Sequence, residues 1–225
     1  MQIYVPTTIA EDWKRLLAKE YHWKEGRSAM AMALCWEENK DGGGPPEVRE
    51  LLPGVSLFLA IPEYRVDLPP AGGRPSQTDL FALGTSSEGL VAVSVEGKVD
   101  ESFGPTLEER RGESSPGIEE RIRYLLKLLA LPADIPGAIR YQLVHRSAAA
   151  ILAASRFRAA RAAMIVHSFS QETPGPKGFA DFAAFLRLYG KDAKLGELQR
   201  IGTFEGVPLD LAWCKGDSRY LKVQS

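Results

Sequence analysis

Only two cysteines occur in the 225 residues, Cys35 and Cys214, and only three histidines, His22, His145 and His167. Two cysteines far apart give neither a disulfide framework nor a metal-ligand spacing, so buried thiols in a reducing cytoplasm are the first expectation. The histidines show no HExxH or comparable spacing, which sets zinc-hydrolase chemistry aside. An excess of one charge sign is also missing: 28 Lys and Arg against 29 Asp and Glu leave a net charge of -1. A generally polycationic nucleic-acid binder is thereby excluded, whereas a local basic groove is not. Long apolar runs are absent too. The most apolar stretch, residues 147–155 (SAAAILAAS), is less than half of what a bilayer-spanning helix needs. Residues 1–11 lack the basic and apolar regions of an export signal. A cytoplasmic protein without a membrane partner is expected.

What is present is an ordinary globular composition, 44% apolar and 25% charged. It rules out wholesale disorder, collagen and coiled coil, and it can fill a substantial core. Breaks rich in Gly and Pro punctuate the chain at residues 40–46 (KDGGGPP), 69–76 (PPAGGRPS), 113–117 (ESSPG) and 172–178 (ETPGPKG). None reaches linker length and no repeat is found, so one domain over residues 1–225 is expected.

Residues 9–19 read as a short amphipathic helix, and residues 46–52 as a further helical turn. Residues 28–38 form a helix apolar nearly all round, which is buried against a sheet. From residue 56 the period changes. Residues 56–66 (SLFLAIPEYRV), 77–84 (QTDLFALG) and 90–99 (LVAVSVEGKV) are rich in β-branched, Leu and aromatic residues. Their short connections predict an antiparallel meander. In the third strand Val91, Val93, Val95 and Val99 share one face. Ala92, Ser94, Glu96 and Lys98 share the other, which turns polar only toward the strand's C-terminal end.

Ser115 and Pro116 then make a cap and first-turn pair for a helix carrying Ile118, Ile122, Leu125, Leu126 and Leu129. Residues 138–155 form an Ala-rich helix, and residues 162–169 (AAMIVHSF) a buried strand. The right-handed crossover rule places that strand parallel to an earlier one. A helix over residues 179–189 and a hairpin over residues 198–223 complete an α/β sandwich around a mixed sheet.

Chemistry concentrates on Asp79 in the second strand and on Glu96 and Lys98 in the third. Glu96 and Lys98 are two apart in a strand and leave the same face, about 6–7 Å apart. Asp79 on the neighbouring strand brings its carboxylate beside that of Glu96. Two adjacent carboxylates form a hard oxygen site suited to Mg²⁺ or Mn²⁺. The nearby Lys98 ammonium can orient a water or offset developing charge.

Asp79 followed by Glu96-Gly97-Lys98, within the order helix, three-stranded meander, crossover helix and strand, resembles the PD-(D/E)XK phosphodiesterase superfamily of restriction and repair nucleases. The resemblance implies an α-β-β-β-α-β restriction-endonuclease-like core with a mixed central sheet, followed here by the C-terminal hairpin. It makes Asp79 the first-motif acid and Glu96-Gly97-Lys98 the E-x-K, although Thr78 stands where the superfamily has its Pro. It further implies Glu37, near the end of the first core helix, as an additional acid. Gln142 and Arg146 match polar residues on the helix after the third motif. His145, close to both, is read first as a structural or surface histidine and second as a phosphate-facing one.

The activity implied is divalent-metal-dependent phosphodiester hydrolysis, with Mg²⁺ or Mn²⁺ as cofactor, DNA as partner and RNA second. A nuclease fold used as a non-catalytic binding or scaffolding module is the alternative, because a near-neutral chain offers few phosphate-facing bases. A salt-bridge cluster with no function at a sheet end is the third reading. The segment QTDLFAL…VEGKVDESFGPTLEE also resembles an uncharacterised bacterial domain family, a resemblance that carries no activity with it.

Overall fold

Three runs rich in β-branched, Leu and aromatic residues pair as expected. In a computed structural model describing residues 6–17, 20–70, 73–113, 117–172 and 176–223, β1 (Ser56–Val66), β2 (Ser76–Ser86) and β3 (Gly89–Lys98) form an antiparallel meander. β4 (Arg161–Ser168) lies parallel to β3, and β6 (Val207–Lys215) lies parallel to β4. β5 (Gln199–Phe204) closes the far edge antiparallel to β6. The result is one six-stranded mixed sheet in the order β1-β2-β3-β4-β6-β5. The expected α/β architecture, with residues 90–99 in an interior strand and residues 162–169 parallel to it, is what the chain adopts.

Helices cover both faces, as a sheet with parallel strands demands. α1 (Ser28–Asn39) and α2 (Pro46–Leu51) lie on one side. There Met32, Cys35 and Trp36 pack with Leu80, Val93, Val95 and Ile165. α3 (Leu107–Gly112), α4 (Ile118–Leu128), α5 (Tyr141–Phe157) and α6 (Phe179–Arg187) lie on the other, around Phe81, Leu83, Met164, Val166 and Trp213. α5 is the crossover helix between β3 and β4. Its Ala148, Ala149, Ala150, Ala153 and Ala154 are at most 3% exposed, so its backbone approaches the sheet closely. It ends where Arg158 turns left-handed, at φ 53°.

Several local expectations shift. The helix expected over residues 9–19 is a 3-10 helix at Ala10–Leu16, and residues 18–19 fall outside the described residues. Ser115 and Pro116 also fall outside them, so α4 is described only from its left-handed cap at Gly117. α3 was not expected. It is started by a capping box in which the Thr106 hydroxyl accepts the Glu109 N–H at 3.2 Å and the Glu109 carboxylate accepts the Thr106 N–H at 2.7 Å. No helix among the described residues is long and apolar enough to cross a membrane.

The close approach of α5 can be tested. Ala153→Leu should overpack the α5–sheet contact and lower stability by about 1–3 kcal/mol. The readout is a lower urea midpoint at unchanged slope. An unchanged midpoint would contradict the packing described.

Candidate functional site

β2 and β3 stop pairing before their ends, and the site begins there. Their ladder runs to Leu80–Val95. Beyond it the Gly97 N–H donates to Asp79 Oδ2 at 2.7 Å instead of to a backbone carbonyl. The Thr78 hydroxyl donates to the Val95 carbonyl at 2.9 Å. A side-chain carboxylate therefore fills the gap between the strands. Gly97 is required for this approach: a Cβ there would stand 2.5 Å from Met32 of α1 and 3.2 Å from Asp79 Oδ2.

On β3, the face expected to turn polar is buried at its polar end, with Glu96 and Lys98 only 4% and 5% exposed. A carboxylate removed from water needs partners on both oxygens. Glu96 Oε1 accepts from Lys98 Nζ at 3.0 Å and from Gln142 Nε2 at 2.5 Å, while Oε2 accepts from Arg146 Nε at 2.6 Å. Gln142 and Arg146 are one turn apart on α5 and so project together. Lys98 Nζ also donates to Gln142 Oε1 at 3.1 Å and sits 4.8 Å above the Phe103 ring. Burial pushes the Glu96 carboxyl up, but the Arg146 and Lys98 charges outweigh it and hold the group down at about 2.

Asp79 has no such clamp. Burial first, then the charges of Glu96 and Glu63, push its carboxyl well above the usual carboxylate range. Glu63 is the acid that sequence reasoning missed. Pro62–Leu80 and Tyr64–Thr78 are paired on either side of it, which sets Glu63 opposite Asp79. Its φ of 54° is left-handed, at a cost of about 1–2 kcal/mol for a non-glycine residue. Gln77 Nε2 donates to its Oε2 at 2.6 Å. Burial raises the Glu63 carboxyl to about 7, against the opposing Gln77 bond and Arg146 charge. The available signal was an acid directly after Pro62, at the end of the apolar run over residues 57–61.

These residues line a cleft of about 720 Å³. Its wall includes Ser28 and Ala29 at the start of α1, and exposed Tyr21, His22, Lys24 and Arg27 stand at its mouth. Glu101, also in the wall, caps α1 by accepting the Ser28 N–H at 3.0 Å and accepts the Val99 N–H at 2.7 Å.

Of the residues expected at the site, Asp79, Glu96, Lys98, Gln142 and Arg146 come together. Glu37 does not. α1 enters the cleft with its N-terminus, so Glu37 lies nine residues and about 13 Å further along the axis. It lines a separate cleft, where it accepts from Thr7 Oγ1 at 2.5 Å and Trp13 Nε1 at 2.8 Å and pairs with Lys40 at 2.9 Å. Its part is to tie the N-terminal segment to α1. His145 does not line the acidic cleft either. Its Nδ1 lies 3.0 Å from the Ser76 hydroxyl, which also accepts from Arg146 at 2.8 Å. Burial, with the Arg146 charge, keeps the imidazole well below its usual range and therefore neutral.

Glu63, Asp79 and Glu96 are hard oxygen donors of the kind that Mg²⁺ or Mn²⁺ takes, although as a trio their oxygens are not gathered within 4.8 Å of one another. Asp79 Oδ1 and Glu63 Oε1 accept no hydrogen bond among the described residues, and both residues line the cleft. Glu96 is the most occupied of the three, its Oε1 accepting two hydrogen bonds and its Oε2 one.

One family profile spans residues 6–218, the whole length from the first 3-10 helix to β6. The chain belongs to DUF6946, a domain of unknown function. Neither a curated protein nor a solved structure matches it.

The raised Glu63 carboxyl of this DUF6946 chain sets a pH signature. Folded, Glu63 holds its proton to about 7, and its ordinary value is 4.5. Between those values the folded state binds more protons than the unfolded one, so stability falls as pH rises through that window and levels off above it. Glu63→Gln should remove the part of the fall that Glu63 contributes and leave that of Asp79, whose carboxyl is also raised. The metal-free variant should melt higher than wild type at about pH 8 and match it at about pH 4. Parallel melting profiles would contradict the assignment.

Proposed function

We propose that this protein is a divalent-metal-dependent phosphodiester hydrolase acting on DNA at the cleft where β2 and β3 diverge. The observation that carries the reading is the convergence of three carboxylates with a lysine and an arginine in one cleft at a sheet end, open to solvent past basic residues. Asp79 and Glu63 would hold the ion, with Glu96 joining when Lys98 or Arg146 lets go of one of its oxygens. Such an ion supplies Lewis-acid polarisation of a phosphoryl oxygen and a bound water of lowered pKa.

The chain's own groups do the remainder. Lys98 is held by Glu96, Gln142 and the Ser102 carbonyl at 3.5 Å, which aims a positive charge where negative charge develops on a phosphate. Lys24 and Arg27 at the mouth attract a phosphate backbone, and the exposed Tyr21 ring offers a base a stacking face. Arg146 keeps Glu96 ionised and fixed.

One observation favours a second reading. Both Glu96 oxygens are already satisfied by cations and an amide. A nuclease fold locked in that way would bind DNA without cutting it.

Calorimetric titration with Mn²⁺, repeated in buffers of different ionisation enthalpy, and a plasmid-nicking assay separate the two. Wild type should bind Mn²⁺ with proton release, because the ion displaces protons held in the cleft, and should nick plasmid. Asp79→Asn should abolish both, while Lys98→Ala should slow nicking and keep Mn²⁺. DNA binding without Mn²⁺ binding or nicking would replace the enzyme with the binding module. Binding of neither would end both readings.

A further inference from the structure

On the sheet face opposite α5, residues that no sequence spacing connects meet in the core. Cys35 of α1, Glu47 of α2 and His167 of β4 each offer a ligand atom, and the three atoms lie within 4.8 Å of one another. We propose that Cys35, Glu47 and His167 form a second, soft metal site that takes a zinc-class transition-metal ion.

Three observations carry this beyond ordinary packing. First, His167 is fully buried and its Nδ1 has no hydrogen-bond partner among the described residues. A buried polar atom left so costs about 1–3 kcal/mol, so the ring is not held here by a full set of hydrogen bonds. Second, the other ring nitrogen, Nε2, meets Glu47 Oε1 at 2.7 Å. That contact already sets a carboxylate oxygen and the imidazole side by side, as two ligands of one ion would be. Third, the donor types are a thiol, an imidazole and a carboxylate. That set selects zinc-class ions over Mg²⁺ or Mn²⁺, in contrast to the all-oxygen cleft.

The group is closed to solvent at Cys35, 1% exposed, and open only along the Glu47 side chain, 23% exposed. Tetrahedral zinc with bonds of about 2.0–2.3 Å sets its ligand atoms about 3.3–3.8 Å apart. Closure onto an ion therefore requires side-chain movement on the order of 1 Å. Cys214, paired with His167 across the β4–β6 ladder and buried on the same face, is a fourth soft donor beside the group.

Cysteine, histidine and glutamate are also the residue types of a nucleophilic triad. A thiol this buried meets no substrate, and burial keeps its proton on. Binding an ion would release that proton.

Co²⁺ is the probe. The chelator-treated full chain should take up about one equivalent of Co²⁺ and develop a thiolate-to-cobalt charge-transfer band in the near ultraviolet, which Zn²⁺ displaces. Cys35→Ser should lose the band, and His167→Gln should weaken Co²⁺ binding at least about tenfold. Asp79→Asn should retain both signals. Circular dichroism checks each variant's fold. If the two buried substitutions fail to fold, Glu47→Gln, at the accessible ligand, carries the test with the same loss of affinity. Absence of the band in wild type, or its survival in Cys35→Ser, would overturn the proposal. So would loss of Co²⁺ in Asp79→Asn alone, which would move the ion to the acidic cleft.

Discussion

A buried carboxylate held between two cations organises this molecule. Glu96 lies at the end of β3, and its oxygens are taken by Lys98 on the same strand and by Arg146 from α5. Removing one partner of such a pair typically costs about 3–5 kcal/mol, because the remaining charge is stranded away from water. The clamp therefore pins the crossover helix to the sheet at one end, while its alanine face pins it along the rest of its length. Both cations are committed to Glu96. Among the described residues Asp79 and Glu63 have no ion pair of their own, and burial with the neighbouring acids pushes their carboxyls upward despite the Arg146 charge. That imbalance is what a cation would correct.

α1 touches both sites. Met32 packs where a Cβ on Gly97 would stand, beneath the N–H that Asp79 accepts, and Cys35 lies one turn further along the helix at the soft group. Residues three apart share a helix face, so one short stripe of α1 supports the acidic cleft and supplies the thiol. The two donor sets differ in hardness, and on the readings proposed each would select the ions that the other leaves.

The architecture was largely legible because its signals are periodic. The Leu, β-branched and aromatic content of residues 56–66, between turn residues, predicts β1 with the bounds it has, and the handedness of crossovers places β4 parallel to β3. α3 was legible too, since Thr106 and Glu109 spell a capping box, but its single apolar residue in the core, Leu107, leaves no periodic stripe. Tertiary placement was not legible. Which end of α1 enters the cleft depends on how the helix docks, and this removes Glu37 and leaves Ser28 and Ala29 there. Glu63 reaches the site through a left-handed backbone that a strand pattern does not anticipate. Cys35 and His167 meet only because α1 covers β4, which no spacing rule between distant residues encodes.

The cleft as described is held shut at Glu96 and undercompensated at Asp79 and Glu63. An anomalous difference map from crystals soaked in Mn²⁺ tests this most directly. The account predicts a manganese peak bound by Asp79 and Glu63, with Lys98 or Arg146 displaced from Glu96. A map without that peak, the clamp still closed on Glu96, would contradict it.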